Sequence, residues 1–130
     1  MILQEFLDNK YTKTKQLALT ELRCASSNLT SLDGIENLIN LETFDCSYNK
    51  ISSIEGIENL VNLTYLDCSH NELTSLKGIE KLSKLELISY SDNKLKYKSN
   101  EFEDIINDIF KEIKIENRKN TISKLLNTNQ

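Results

Sequence analysis

Residues 41–62 read LETFDCSYNKISSIEGIENLVN, and this stretch decides the fold. Its apolar set is Leu41, Phe44, Cys46, Ile51, Ile54, Ile57 and Leu60. Phe44 and Cys46 alternate with Thr43, Asp45 and Ser47, the period-2 signature of a short strand with one buried face. Beyond Asn49 the apolar spacing lengthens to three, at positions 51, 54, 57 and 60, which fits a tight coil or 3₁₀-like return. Gly56 supplies the backbone freedom for the turn on the return side.

The same pattern repeats every 22 residues. Leu19, Leu41, Leu63 and Leu85 form one column; Leu22, Phe44, Leu66 and Ile88 a second; Cys24, Cys46, Cys68 and Tyr90 a third. Ser27, Asn49, Asn71 and Asn93 follow, then Leu29, Ile51, Leu73 and Leu95, then Gly34, Gly56 and Gly78. Columns in register over three full copies and part of a fourth mark a solenoid, in which each unit buries its apolar face against its neighbours. A buried Asn side chain offers two donors and an acceptor. Asn49, Asn71 and Asn93 are therefore expected to form a structural ladder that satisfies backbone groups where strand turns into loop.

The runs Leu41-x-x-Phe44-x-Cys46-x-x-Asn49-x-Ile51 and Leu63-x-x-Leu66-x-Cys68-x-x-Asn71-x-Leu73 resemble the leucine-rich repeat, L-x-x-L-x-L-x-x-N-x-L. The resemblance covers residues 19 to about 97, and the repeat length is similar to the short subclass found in protein phosphatase regulators and bacterial internalins. Ser27 in place of the first Asn, and the break after Leu95 into Lys-Tyr-Lys, are departures at the ends, where capping replaces stacking. The resemblance implies an α/β solenoid: a right-handed superhelix with short parallel strands on the concave side and 3₁₀ or coil on the convex side. It implies a non-catalytic protein-interaction module, an adaptor or regulator, that binds a partner protein of unknown identity on its concave face. The alternative is a self-associating structural subunit that uses the solenoid ends.

On this reading residues 1–18 form an N-terminal cap, 19–98 the repeats (19–40, 41–62, 63–84 and a partial 85–98), and 99–130 a helical C-terminal cap. Phe102, Ile105, Ile106, Ile109, Phe110 and Ile113 fall on one helical stripe, and Asn100 with Glu103 reads as a capping box. Such a stripe is expected to cover the open apolar end of the last repeat. A second short helix is expected near Thr121–Leu126. At the other end, Ile2, Leu3, Phe6 and Leu7 fit either a helix stripe or a degenerate half-repeat.

Composition narrows the function classes. The net charge of −4 is spread as +1 over residues 1–18, −4 over 19–98 and −1 over 99–130, so no segment carries the basic patch that a phosphate backbone needs. Nucleic acid is not an expected ligand. MILQEFLDNK lacks the features of a signal peptide, and no stretch approaches the ~20 apolar residues of a membrane span. A cytoplasmic protein without membrane contact is expected, monomeric with weak self-association at most. The excess of Asn, Ile and Lys fits an AT-rich coding sequence. The three Cys are an odd number in one apolar column, which reads as a buried stack of reduced thiols. Parallel strands ~4.8 Å apart also make a Cys24–Cys46 or Cys46–Cys68 bridge conceivable. Their spacing does not match a structural zinc site.

The side chains that alternate with the buried ones define the candidate interaction face. Its columns are Glu21, Thr43, Tyr65 and Leu87; Arg23, Asp45, Asp67 and Ser89; Ala25, Ser47, Ser69 and Ser91; and Ser26, Tyr48, His70 and Asp92. Tyr48, Tyr65, His70 and Leu87 place aromatic and apolar surface within a small, polar face, the composition of an interface hot spot. Arg23, Asp45 and Asp67 lie on adjacent strands. Arg23 is expected to neutralise Asp45, leaving Asp67 for a partner's Lys or Arg. The strands alone span roughly 20 by 17 Å, on the order of 300 Å² against ~800 Å² per partner in a standard interface. Tight binding therefore has to recruit the flanking loops, the cap helix or a second copy of the protein. No cofactor, metal or catalytic residue is expected: the Cys face inward, and the single His has only Tyr, Ser and Asp neighbours.

Overall fold

The computed structural model describes residues 1–96, 106–108, 110 and 111. The chain divides into two units, Met1–Lys96 and Tyr97–Gln130.

In the first unit, helices α1 (Leu3–Lys10) and α2 (Lys13–Ala18) precede four three-residue strands, β1 (Glu21–Arg23), β2 (Thr43–Asp45), β3 (Tyr65–Asp67) and β4 (Leu87–Ser89). The strands form one parallel sheet in chain order, paired Leu22↔Phe44, Phe44↔Leu66 and Leu66↔Ile88. The sheet register is thus the sequence period itself. Between strands the chain returns through 3₁₀ turns at Ile35–Asn37, Ile57–Asn59 and Ile79–Lys81.

Each 3₁₀ turn is preceded by a glycine with positive φ, as at Gly56 (φ 98°), a conformation that a Cβ would strain. The amide of Gly56 donates to Oε2 of Glu58 at 3.0 Å, and Gly34 with Glu36 and Gly78 with Glu80 repeat the arrangement. The carboxylate two residues on therefore satisfies an amide that the short turn leaves without a backbone partner. The core runs through the middle of the coil. Leu22, Phe44, Leu66, Ile35, Ile57, Leu41 and Leu63 are all buried.

The N-terminal segment resolves the choice between helix and half-repeat by using both. Leu3 and Leu7 of α1 are fully buried, while Ile2 makes a parallel bridge to Ser31 and Leu3 N donates to Ser31 O at 3.0 Å. A polar hub ties α1 to α2. Buried Gln16 donates from Nε2 to Asp8 Oδ1 (3.0 Å) and Tyr11 O (3.1 Å), and Lys13 Nζ lies 2.8 Å from the same Asp8 oxygen.

In the second unit, residues 106–108, 110 and 111 are helical; Ile106 is buried and Phe110 half-buried. The rest of the expected stripe (Phe102, Ile105, Ile109 and Ile113), the Asn100–Glu103 box and the segment 121–126 lie outside the described residues.

The strand face as a candidate interaction site

Beyond β2 the backbone continues in sheet-like pairing for one more step: Cys46 N donates to Asp67 O (2.9 Å) and Tyr48 N to Ser69 O (3.1 Å). At Tyr48 φ becomes 55°, and the left-handed value repeats at Ser26 (53°), His70 (53°) and Asp92 (54°). A bulky L-residue holds this conformation only when its surroundings impose it. At Tyr48, His70 and Asp92 the Asn that follows imposes it, and at Ser26 the Asn49 side chain of the next repeat holds the loop that follows. Asn49 Oδ1 accepts from Ser27 N (3.0 Å) and Leu29 N (2.9 Å), and its amide reaches Cys24 O, Cys46 O and Ser47 O at 3.0–3.1 Å. Asn71 and Asn93 repeat the pattern, each clamping its own strand exit to the preceding repeat. The side chains of Asn49, Asn71 and Asn93 thus make buried or half-buried hydrogen bonds between repeats.

The left-handed column projects as a row of side chains. The rings of Tyr48 and His70 stack with centroids 4.1 Å apart and planes 9° from parallel. His70 Nε2 in turn lies 3.2 Å from Asp92 Oδ2. Tyr48 is 59% exposed and His70 half-buried. On the strands themselves, Leu87 is 57% exposed, while Tyr65, Asp45 and Asp67 are half-buried. Tyr65 pairs with Thr43 and Leu87 in the register. Partial burial, and then the charges of Asp67 and Asp45, push the Tyr65 phenol up from its ordinary value.

Two expectations about this face need correcting. The direct partner of Arg23 is not Asp45: its Nε hydrogen-bonds Glu21 two residues back on the same strand, and the charge of Asp45 acts on the guanidinium more weakly. Ser47 and Ser69, expected on the exposed face, are buried. The chain is already leaving the strand there, so strict alternation fails. Their hydroxyls instead donate to the Oδ1 atoms of Asp45 (2.7 Å) and Asp67 (2.6 Å), which also accept the serine amides at 3.0 Å. These serines hold the two carboxylates in place. The signal for them was the repeated Asp-Cys-Ser triplet.

Behind the face, Cys24, Cys46 and Cys68 are buried free thiols. Burial pushes Cys24 and Cys68 up to about 12, and Cys46, flanked by the other two, well above the ordinary value. No thiolate nucleophile forms under such conditions. Among the described residues no group of three or more His, Cys, Asp or Glu is placed to hold a metal ion. A cleft of about 500 Å³ lies on the return side, lined by residues such as Ile54, Glu58, Thr74 and Lys77, and takes no side chain from the strand face. What the face offers chemically is a fixed row of rings and carboxylates.

The family pattern described as Leucine Rich repeats (2 copies) matches residues 18–60, and Leucine Rich Repeat matches residues 62–85. No curated protein sequence matches the chain. Among solved structures, an internalin (InlF) of Listeria monocytogenes is similar at 29% identity and TM-score 0.62, over 66% of this chain and 25% of its own. Internalin C2 of the same organism is similar at 29% identity and TM-score 0.60, over 62% of this chain and 35% of its own. The functional domain of InlJ from Listeria monocytogenes, which includes a cysteine ladder, matches at 35% identity and TM-score 0.58, over 65% and 18%. The chain thus spans well under half the length of these relatives.

Proposed function

The chain belongs to the leucine-rich-repeat family, and from that premise we propose a non-catalytic protein-interaction module that binds a partner protein across its concave strand face. The observation that carries this reading is the exposure of large side chains on an otherwise small, polar and rigid surface. Tyr48 and Leu87 are more than half exposed, with Tyr65 and His70 between them. Aromatic side chains held in one rotamer lose little entropy on binding, so such a surface favours recognition. Asp45 and Asp67, anchored by Ser47 and Ser69, add fixed polar contacts for a partner, and Arg23 at the β1 edge adds a rim charge. The inward, raised-pKa thiols offer no nucleophile to catalysis, and they suit a reducing, cytoplasmic setting. The protein acts as a monomer in this reading, with its flanking loops extending the contact.

The test is affinity capture from the source cell with mass-spectrometric readout, comparing the wild type with a folded Tyr48→Ala, Tyr65→Ala, Asp67→Lys variant. A protein enriched by the wild type and lost with the variant supports the strand face. Equal capture by both proteins would move the site elsewhere and overturn this reading.

A further inference from the structure

The left-handed column continues one repeat beyond the Tyr48–His70 stack, and there the side chain is small. Ser26 N donates to Ser47 O at 3.1 Å as Tyr48 N donates to Ser69 O at 3.1 Å, and the two residues share φ within 2°, 53° against 55°. Ser26 therefore stands to Tyr48 as Tyr48 stands to His70. A ring at position 26 would stack on Tyr48, but Ser26 supplies only an exposed hydroxymethyl. One face of the Tyr48 ring lies on His70. Among the described residues no other ring stacks on Tyr48 and no cation lies over its face, consistent with its 59% exposure. The result is a slot one repeat deep, about 4.8 Å in the sheet direction, with a π face as one wall.

The charges around it select the occupant. The four columns of the face carry Glu21, Asp45, Asp67 and Asp92, and their only Lys or Arg is Arg23, already paired with Glu21. A partner's cation is thus favoured over an anion, and a planar one fits a slot shaped for a stacked ring. The guanidinium is planar, stacks on aromatic faces and is weakly hydrated, whereas an ammonium is compact and strongly hydrated. Resting on the strand-face reading above, we propose that the Ser26–Tyr48 slot binds an arginine side chain of the partner protein, stacked on the free face of Tyr48. His70, held by Asp92, backs the ring from the other side. The slot selects arginine over lysine, and the anchored aspartates attract both.

Fluorescein-labelled dodecapeptides of alternating Arg-Gly, Lys-Gly and Phe-Gly, titrated by anisotropy against the full chain, test this. The Arg peptide is expected to bind roughly threefold tighter than the Lys peptide, the scale of one exposed cation–π contact. Tyr48→Asn removes the ring with a residue that accepts the left-handed backbone, and Ser26→Tyr fills the slot. Each, once shown folded by circular dichroism, should erase the Arg preference. Asp45→Asn and Asp67→Asn should weaken Arg and Lys peptides alike. Equal binding of Arg and Lys peptides by the wild type, tighter binding of the Phe peptide, or a preference that survives Ser26→Tyr would each overturn the slot. Partner capture separates the two readings: loss of capture with the Tyr65 and Asp67 substitutions but not with Ser26→Tyr leaves the face standing and the slot refuted.

Discussion

The amide of Asn71 donates to the carbonyl of Cys46, 3.0 Å away and 25 residues back in the chain, so each repeat is stitched to the one before it by a side chain. The same side chain accepts from Ile51 N at 3.0 Å and donates to Cys68 O and Ser69 O. Removing it strips hydrogen bonds from two repeats at once: Ile51 N loses its partner, while Cys46 O, Cys68 O and Ser69 O keep one other donor each. Asn71→Ala should therefore cost about 3 kcal/mol, above the ~1 kcal/mol of an ordinary hydrogen bond, because several buried bonds are lost together and one buried amide is left unsatisfied. Asn93→Ala, at a half-buried site where water replaces the lost partners, should cost about 1 kcal/mol. Urea unfolding followed by circular dichroism measures both, and equal costs would refute this account of the ladder.

Gly56 is held at φ 98°, and a Cβ there would lie 3.0 Å from Cγ2 of Ile35 in the preceding repeat. Gly56→Ala thus adds a left-handed strain to a clash with a buried side chain. A loss of about 2 kcal/mol is expected. Glu58→Gln keeps an oxygen for the Gly56 amide and loses only the charge assistance, so it should cost well under 1 kcal/mol. Thermal melts of the two variants distinguish backbone strain from loss of the cap.

The cysteine column links stability to pH on the alkaline side. In the unfolded chain the thiols ionise near 9, whereas in the fold Cys24 and Cys68 are pushed up to about 12 and burial also holds Cys46 well above its ordinary value. A group with a raised folded value contributes its full stability below the unfolded value. That contribution is lost as pH rises toward the folded one. Stability should hold from pH 7 to about 9 and then fall by up to about 1.4 kcal/mol per pH unit for each thiol. A triple Cys→Ala variant should show a flatter limb. At pH 8 the native thiols should resist a disulfide reagent and react only on unfolding.

Asp8 sets the corresponding limb in acid. Hydrogen bonds from Lys13, Gln16 and Gln4 hold its carboxyl at about 2, below the ordinary 3.8. A lowered folded value means the contribution is present above 3.8 and disappears as pH falls toward 2. Asp8→Asn should melt lower than the wild type at pH 6, with the gap closing between pH 4 and pH 2. A gap independent of pH would show that the hub depends on shape rather than charge.

How much of this was written in the sequence depends on whether the information was periodic. The columns Leu41/Leu63, Phe44/Leu66 and Asn49/Asn71 announced the register, the buried face and the ladder, since stacking makes the sheet register equal the repeat length. Alternation failed where the backbone leaves the strand. Strict alternation places Ser47 and Ser69 outward, but the left-handed residues Tyr48 and His70 that follow turn the chain and leave the serines buried against Asp45 and Asp67. The Tyr48–His70 stack was equally out of reach: residue types in a column show who neighbours whom, not that their rings lie parallel. Arg23 was a choice between Asp45 across the strand and Glu21 along it, and local reach decided it.

The left-handed column also provides a clean test of stored strain. Ser26 has φ 53°, is exposed, and lacks the ring stacking that compensates Tyr48 for the same backbone. A non-glycine, non-asparagine residue in this region is disfavoured by roughly 1–2 kcal/mol. Asn tolerates it because its short polar side chain hydrogen-bonds locally. Ser26→Asn should therefore stabilise the protein by about 0.5–1 kcal/mol without touching the core. Tyr48→Asn relieves the same strain but forfeits the stack on His70, itself worth about 0.5–1.5 kcal/mol, so its net effect should lie near zero. Denaturant midpoints for the two variants decide the matter. If Ser26→Asn gains nothing, the strand exits are not strained, and the left-handed turn is the relaxed geometry of the Asn-clamped loop.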